Sequence, residues 1–387
     1  MATEPRQARP PARTRPDLGS YDDIAAAAMR ATGLADFGGT EHEEGLRILV
    51  EDLRTTAGLT PVGNYQQRAQ VKAALVGRLL AEHGFAAYPA HAEVPVQRPI
   101  FVTGLPRTGT TALHRLLTAD PAHQGLELWL TEVPQPRPPR ESWTSDPVFA
   151  ALDTAYREHH VANPEFIGIH YIDAASPEEC WRVLRQSGKS IGFESLAYVP
   201  AYSAWLAGQD WTDAYQRHKR NLQLIGLHDA DRRWVLKNPS HLVALDALMA
   251  VYPDALVVRT HRDPAVAVAS ACSLSAEATR GWSEVFTGAV IGRTHLDMLA
   301  RAHATFESAR AGYSAEQFLD VEYDDFTADP IGMVRRIYEA FGLDWTTEVE
   351  AAVTTIDAES RQQGRGPAHR YSLTDYGLTE AEVRARF

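Results

Sequence analysis

One stretch limits what this chain can fold into more than any other: Pro99-Ile100-Phe101-Val102-Thr103-Gly104-Leu105-Pro106-Arg107-Thr108-Gly109-Thr110-Thr111, continued by Ala112-Leu113-His114-Arg115-Leu116-Leu117. Ile100 to Val102 form a short apolar run of the kind a buried strand shows. Gly104 and Gly109 bracket a tight loop, and Leu113, Leu116 and Leu117 recur at helical spacing. A strand that feeds a glycine loop and then a helix aims loop amides and a helix N-terminus at one point, which suits phosphate oxygens. The loop departs in one place from the triphosphatase signature G-x-x-x-x-G-K-[ST]. Thr110 stands where the lysine belongs, and the fixed cation is Arg107, three residues earlier. A magnesium-dependent site also wants an apolar strand ending in Asp. The later candidate, Ala255-Leu256-Val257-Val258-Arg259-Thr260-His261-Arg262, ends in cations instead. The pattern therefore predicts a phosphate-bearing ligand handled by cations and hydroxyls, with no metal. Glycines placed for packing alone are the plain alternative; Arg107 and the paired threonines weigh against it.

The net charge of −12 argues against a nucleic-acid partner, which needs a basic face. Two cysteines, Cys180 and Cys272, offer no disulfide framework and fit a reducing compartment. No apolar run approaches the ~18 residues of a membrane span, and the N-terminus lacks the apolar core of a secretory signal. A soluble, cytoplasmic protein is expected, with no integral membrane span; nothing in the sequence fixes its oligomeric state. Arginine is the default cation, because only Lys72, Lys189, Lys219 and Lys237 are lysines among 38 basic side chains. A lysine at a critical position is a choice against that background.

Residues 1–17 carry too few apolar groups to pack and read as a disordered tail. Residues 18–97 have helical periods at Ile24 to Ala31, Glu44 to Thr56 and Gln66 to His83, an N-terminal helical extension; charges from Glu41 to Glu51 read as a solvated face. From 98 to 387 apolar strand runs alternate with helices: Trp234 to Lys237, Ala255 to Val258 and Phe318 to Val321 are strands. Helices open at Pro264 and Pro330, the second stopping at Gly342. Such alternation predicts an α/β fold with a parallel sheet. A proline-rich loop runs to Pro139. A ring-rich insertion at about 160–230 holds Phe166, His170, Tyr171, Trp181, Phe193, Tyr198, Tyr202, Trp205 and Trp211. Those rings suit either the wall of an apolar pocket or ordinary core.

Three further places carry chemistry. Arg262 and Ser270 lie eight residues apart, one at a strand end and one on the following helix, so they could hold one phosphate from two sides. Lys237, in Lys237-Asn238-Pro239-Ser240-His241, closes an apolar strand, where a parallel sheet places its ligand; a lysine merely paired to a carboxylate is the structural alternative. Glu127 sits between Leu126 and Leu128-Trp129, apolar company that could raise its basicity.

Taken together, these residues resemble the PAPS-dependent sulfotransferases, whose donor is 3′-phosphoadenosine 5′-phosphosulfate (PAPS). Gly104 to Thr111 resembles the 5′-phosphosulfate loop, and Arg262-Asp263-Pro264-Ala265-Val266-Ala267-Val268-Ala269-Ser270 the 3′-phosphate motif. Val321-Glu322-Tyr323-Asp324-Asp325-Phe326-Thr327-Ala328-Asp329-Pro330 is similar to a late family segment. The likeness is nearest to tyrosylprotein-type enzymes and their bacterial relatives. It implies the sulfotransferase fold, a P-loop-like parallel sheet flanked by helices. It also implies in-line sulfuryl transfer from PAPS, without metal, to a hydroxylated small-molecule acceptor of mostly apolar character. Donor contacts would come from Pro106, Arg107, Thr108, Gly109, Thr110, Thr111, Arg262 and Ser270, with Arg361, Arg365 and His369 as a loose late match. Lys237 and Arg107 would steady the leaving oxygen. Glu127 is the preferred base, and His241 is second, from the alternative placement in cytosolic members. The rival readings are a phosphotransferase on the same scaffold and a non-catalytic nucleotide binder.

Overall fold

The computed structural model describes residues 13–162, 173–362 and 372–387. Its centre is a parallel sheet of five strands: β1 (Ile100–Gly104), β2 (His123–Gln124), β3 (Arg233–Lys237), β4 (Leu256–His261) and β5 (Phe318–Glu322). The spatial order is β2-β3-β1-β4-β5, with Phe101 opposite Leu236 on one side and Val257 on the other. The chain leaves β1 for one edge, returns through β3, and then crosses to β4 and β5. The reversal falls at β1, so the carboxyl ends of β1, β3 and β4 open into one crevice.

Alternation along β1 decides which layer packs where. Ile100 and Val102 join Leu113, Leu116 and Leu117 of α4 (Thr110–Thr118), while Phe101 faces the opposite core. That second core is continuous with the N-terminal helices α1 (Tyr21–Thr32), α2 (Glu43–Thr55) and α3 (Pro61–Ala87): Ile24, Leu46, Leu53, Leu75 and Leu79 share it with Phe101 and Leu236. Local chemistry starts and stops these helices. Ser20 and Asp23 close a capping box on α1, which ends at Gly33 with φ +71°. Thr60 caps α3 with proline in its first turn, and Asp329 does the same for the helix Pro330–Phe341, which Gly342 ends at φ +60°.

The structure adds to the sequence reading in three places. Strand β2 gave no sequence signal, because two polar residues carry no period. Glu41 does more than face solvent: its carboxylate closes on Arg78 Nη2 at 2.5 Å, and that guanidinium, fully buried in α3, also donates to Phe37 O and Gln186 O. The ring-rich insertion also goes largely inward. Phe193, Tyr202 and Trp211 are buried in the shared core, and Trp205 lies against α2, where a Cβ at Gly45 would collide with its ring. Trp181 is sandwiched near the Arg182 and Arg185 guanidiniums. Rings placed beside long helices bury most area that way. Phe166, His170 and Tyr171 lie outside the described residues. No helix among the described residues is long and apolar enough to cross a membrane.

Candidate active site

The loop after β1 takes its shape from left-handed backbone. Gly109, at φ +89°, is the cap residue of α4, and Arg107 holds φ +72°, a conformation that costs a non-glycine residue on the order of 1–2 kcal/mol. Left-handed residues interleaved with right-handed ones turn successive amides toward a common centre. What keeps Arg107 there is visible: Arg262 Nη1 donates to its carbonyl at 3.1 Å, and its own Nε donates to Ser270 Oγ at 3.2 Å. Arg262 also lies over the Tyr323 ring, 4.1 Å from the centroid. Arg107 and the distant pair Arg262 and Ser270 are thus one cluster. The helix Pro264–Ala278 carries Ser270 inward, its N-terminus capped by Asp263.

Lys237 belongs to the other side of the loop. It ends β3 on the same face as Val235, which packs with α4, and its Nζ donates to Thr111 Oγ1 at 3.2 Å. The same ammonium meets Glu179 Oε1 at 2.5 Å. Lys237 is 2% exposed and the Glu179 side chain 22%, so the carboxylate sits on the open side of the pair. Beneath them His114 donates from Nε2 to Val235 O; burial, then the Lys237 charge, push its pKa down to about 3, so it is a neutral packing group. A second cleft beside the loop is lined by Thr108, Arg259, Arg262, His303 and Arg384.

Four of the expected site residues have surroundings the sequence did not suggest. Thr108 is buried, and its hydroxyl bonds Leu105 O at 2.7 Å and Thr260 Oγ1 at 2.5 Å, so it shapes the loop and leaves only its amide for a ligand. Glu127 lacks apolar company at its carboxylate: Leu126, Leu128 and Trp129 turn into the core, while Glu127 Oε2 accepts from Arg137 Nε at 3.0 Å. Arg137 is anchored further by Gln124, Gly125 and Asp229. His241 is 1% exposed, hydrogen-bonded through Nδ1 to the Tyr215 hydroxyl at 2.6 Å, and edge-on to Phe101 on the sheet face opposite α4. Burial, then His218, drives its pKa well below the ordinary value. Arg361 bonds Asp357 one turn back and is mostly exposed, a surface pair on its own helix. Arg365 and His369 lie outside the described residues.

Sequence reasoning missed Glu179, Arg137 and Tyr323 as members of this region. Tyr323 fell inside a noted segment without a role; Glu179 had no local signal at all.

This chain belongs to the sulfotransferase family, whose model matches residues 99–347. Among solved structures it is similar to sulfotransferase STF1 from Mycobacterium tuberculosis H37Rv, at 51% identity over 96% of this chain and 99% of that one, with a TM-score of 0.90. Sulfotransferase STF9 from Mycobacterium avium matches at 30% identity over 95% of each chain, with a TM-score of 0.86. It is also similar to omega-hydroxy-beta-dihydromenaquinone-9 sulfotransferase Stf3 of Mycobacterium bovis, 27% identical over 257 residues. That match spans 63% of this chain and 63% of the relative's length.

Proposed function

We propose that the chain transfers a sulfuryl group from PAPS to the hydroxyl of a largely apolar small molecule by direct in-line displacement. The observation that carries the reading is the convergence of Arg107, Arg262 and Ser270 beside the glycine loop, with Lys237 and Thr111 at the loop's other flank. One end offers cations and a hydroxyl to a terminal phosphate; the other offers loop amides, hydroxyls and an ammonium to a phosphosulfate. This donor set fits a ligand with two separated anionic ends. PAPS, when bound, supplies the activated sulfuryl group.

By analogy with phosphoryl transfer, the transition state is loose, and catalysis is mostly placement and charge stabilisation. The protein's part follows. Arg262 and Ser270 fix one end of the donor, and the loop amides and the first turn of α4 fix the other. Lys237 and Arg107 are the cations that meet charge growing on the departing oxygen. The acceptor is read as a lipid-like alcohol or phenol. The name of the Stf3 relative, which points to a hydroxylated menaquinone derivative, supports that class.

The test is ligand stabilisation followed by turnover. Adenosine 3′,5′-bisphosphate (PAP) should raise the melting temperature more than ATP with magnesium, and labelled PAPS should add one sulfonate to a lipophilic hydroxyl compound in an extract. Stabilisation by ATP with magnesium but not by PAP would replace the reading with phosphotransfer.

A further inference from the structure

We propose that Glu179, rather than Glu127 or His241, is the carboxylate that takes the proton of the acceptor hydroxyl. The inference rests on the sulfuryl-transfer reading above and deepens it.

The argument starts from Lys237. Its ammonium is 2.5 Å from Glu179 Oε1 and 3.2 Å from Thr111 Oγ1, so a carboxylate stands beside the cation that flanks the loop. Glu179 is not on a free loop. The Glu178 amide donates to Leu126 O at 2.8 Å, the Cys180 amide donates to Lys237 O at 2.9 Å, and the Glu178 carboxylate accepts from the Glu179 amide. Backbone on both sides of Glu179 is thereby tied to the elements that carry Glu127 and Lys237.

An in-line transfer needs a cation at the departing oxygen and a base at the attacking one, with the moving sulfur between them. Reacting atoms lie about 3–3.5 Å apart, and the base reaches the proton's heavy atom at about 2.6–3.2 Å. A carboxylate in contact with the leaving-group cation can span from one side of that sulfur to the other. Neither rival is recorded in contact with the Lys237 ammonium. The Glu127 carboxylate is held by Arg137, whose other donors are committed to Gln124, Gly125 and Asp229. His241 lies under Phe101 on the other face of the sheet, bonded to Tyr215.

The step balances without a co-reactant. As the acceptor oxygen bonds to sulfur, its proton passes to the Glu179 carboxylate. The bond from sulfur to the phosphate oxygen breaks, and its electron pair stays on that oxygen beside the Lys237 ammonium. The proton then passes to solvent, restoring the Lys237–Glu179 pair.

The experiment compares Glu179→Gln, Glu179→Asp and Glu127→Gln with the wild-type full chain, using PAPS and an active hydroxyl acceptor. The groups facing Glu179 are Lys237 from β3, which also meets Thr111 of α4, and Glu178 and Cys180 on its own segment; none is altered. Glu179→Gln is expected to lower kcat by about 10²–10⁴-fold. Its PAP-induced melting shift should stay at the wild-type value, and the acidic limb of its kcat–pH profile should vanish. Glu179→Asp should keep that limb and part of the rate. A Glu179→Gln chain that binds PAP and turns over within a few-fold of wild type overturns the proposal. So does loss of the acidic limb in Glu127→Gln alone. If Glu179→Gln loses PAP binding together with activity, while Glu179→Asp lacks the acidic limb, the carboxylate is only a tether for Lys237 and the proposal falls. Wild-type protein that binds PAP but sulfonates no hydroxyl would instead remove the transfer reading itself.

Discussion

Lys237 shows how one residue answers to two demands. Its strand buries it to 2% exposure, which would be costly for a lone ammonium, and Glu179 and Thr111 offset that cost. Replacing Lys237 by Ala should therefore leave PAP-induced stabilisation largely in place while kcat falls by at least about 10²-fold, the scale for losing a group aimed at transition-state charge. Arg262→Ala should act differently. It removes the cation over Tyr323 and the donor to the Arg107 carbonyl, so the KM for PAPS should rise and the PAP melting shift should shrink. Isothermal titration with PAP separates the two. The sequence revealed Lys237 through the scarcity of lysine, and Arg262 with Ser270 through an interval that one helix fixes. It could not reveal Glu179, which meets Lys237 across 58 residues, or the Arg137 partner of Glu127 beyond a proline-rich loop.

At the scale of the element, the loop and α4 form one device. Gly109 is left-handed at the helix cap, and a Cβ there would come 3.2 Å from both Phe326 and Tyr323. Gly109→Ala should thus cost about 1–2 kcal/mol of stability, read from the urea midpoint, and weaken PAP binding by moving the amides. Unchanged midpoint and affinity would mean that the loop tolerates another backbone path. This element was the most legible in the chain because its determinants are local: strand, glycines and helix follow one another within 20 residues. The ring-rich segment was the least legible, because the same aromatic residues serve a pocket or a core. Their partners in α2 and α3 decide between the two.

At the scale of the molecule, one apolar core runs from α1 along one face of the sheet to the helix Gly288–Arg310, a second lies on the α4 face, and buried histidines are distributed among them. Burial pushes His42, His114 and His218 down to about 3 and His295 down to about 4. Their folded pKa values lie below the unfolded value near 6.5, so the unfolded chain binds more protons between the two. Stability contributed by these groups is full above about pH 6.5 and is lost as pH falls toward their folded values, with a slope of up to about 1.4 kcal/mol per pH unit for each. Urea midpoints should hold from pH 7.5 to about 6.5 and then fall toward pH 5; a profile flat throughout would mean that the histidines are solvated. By itself the sequence determined the alternation of strands and helices, the anion loop and the cationic strand ends, because each depends on neighbours along the chain. Only the tertiary structure decided that Glu127 and His241 meet other partners, that Phe193, Tyr202 and Trp211 are buried in the core, and that Glu179 stands beside Lys237. Those facts depend on which distant segments share a surface, and pairing across space leaves no period in the sequence.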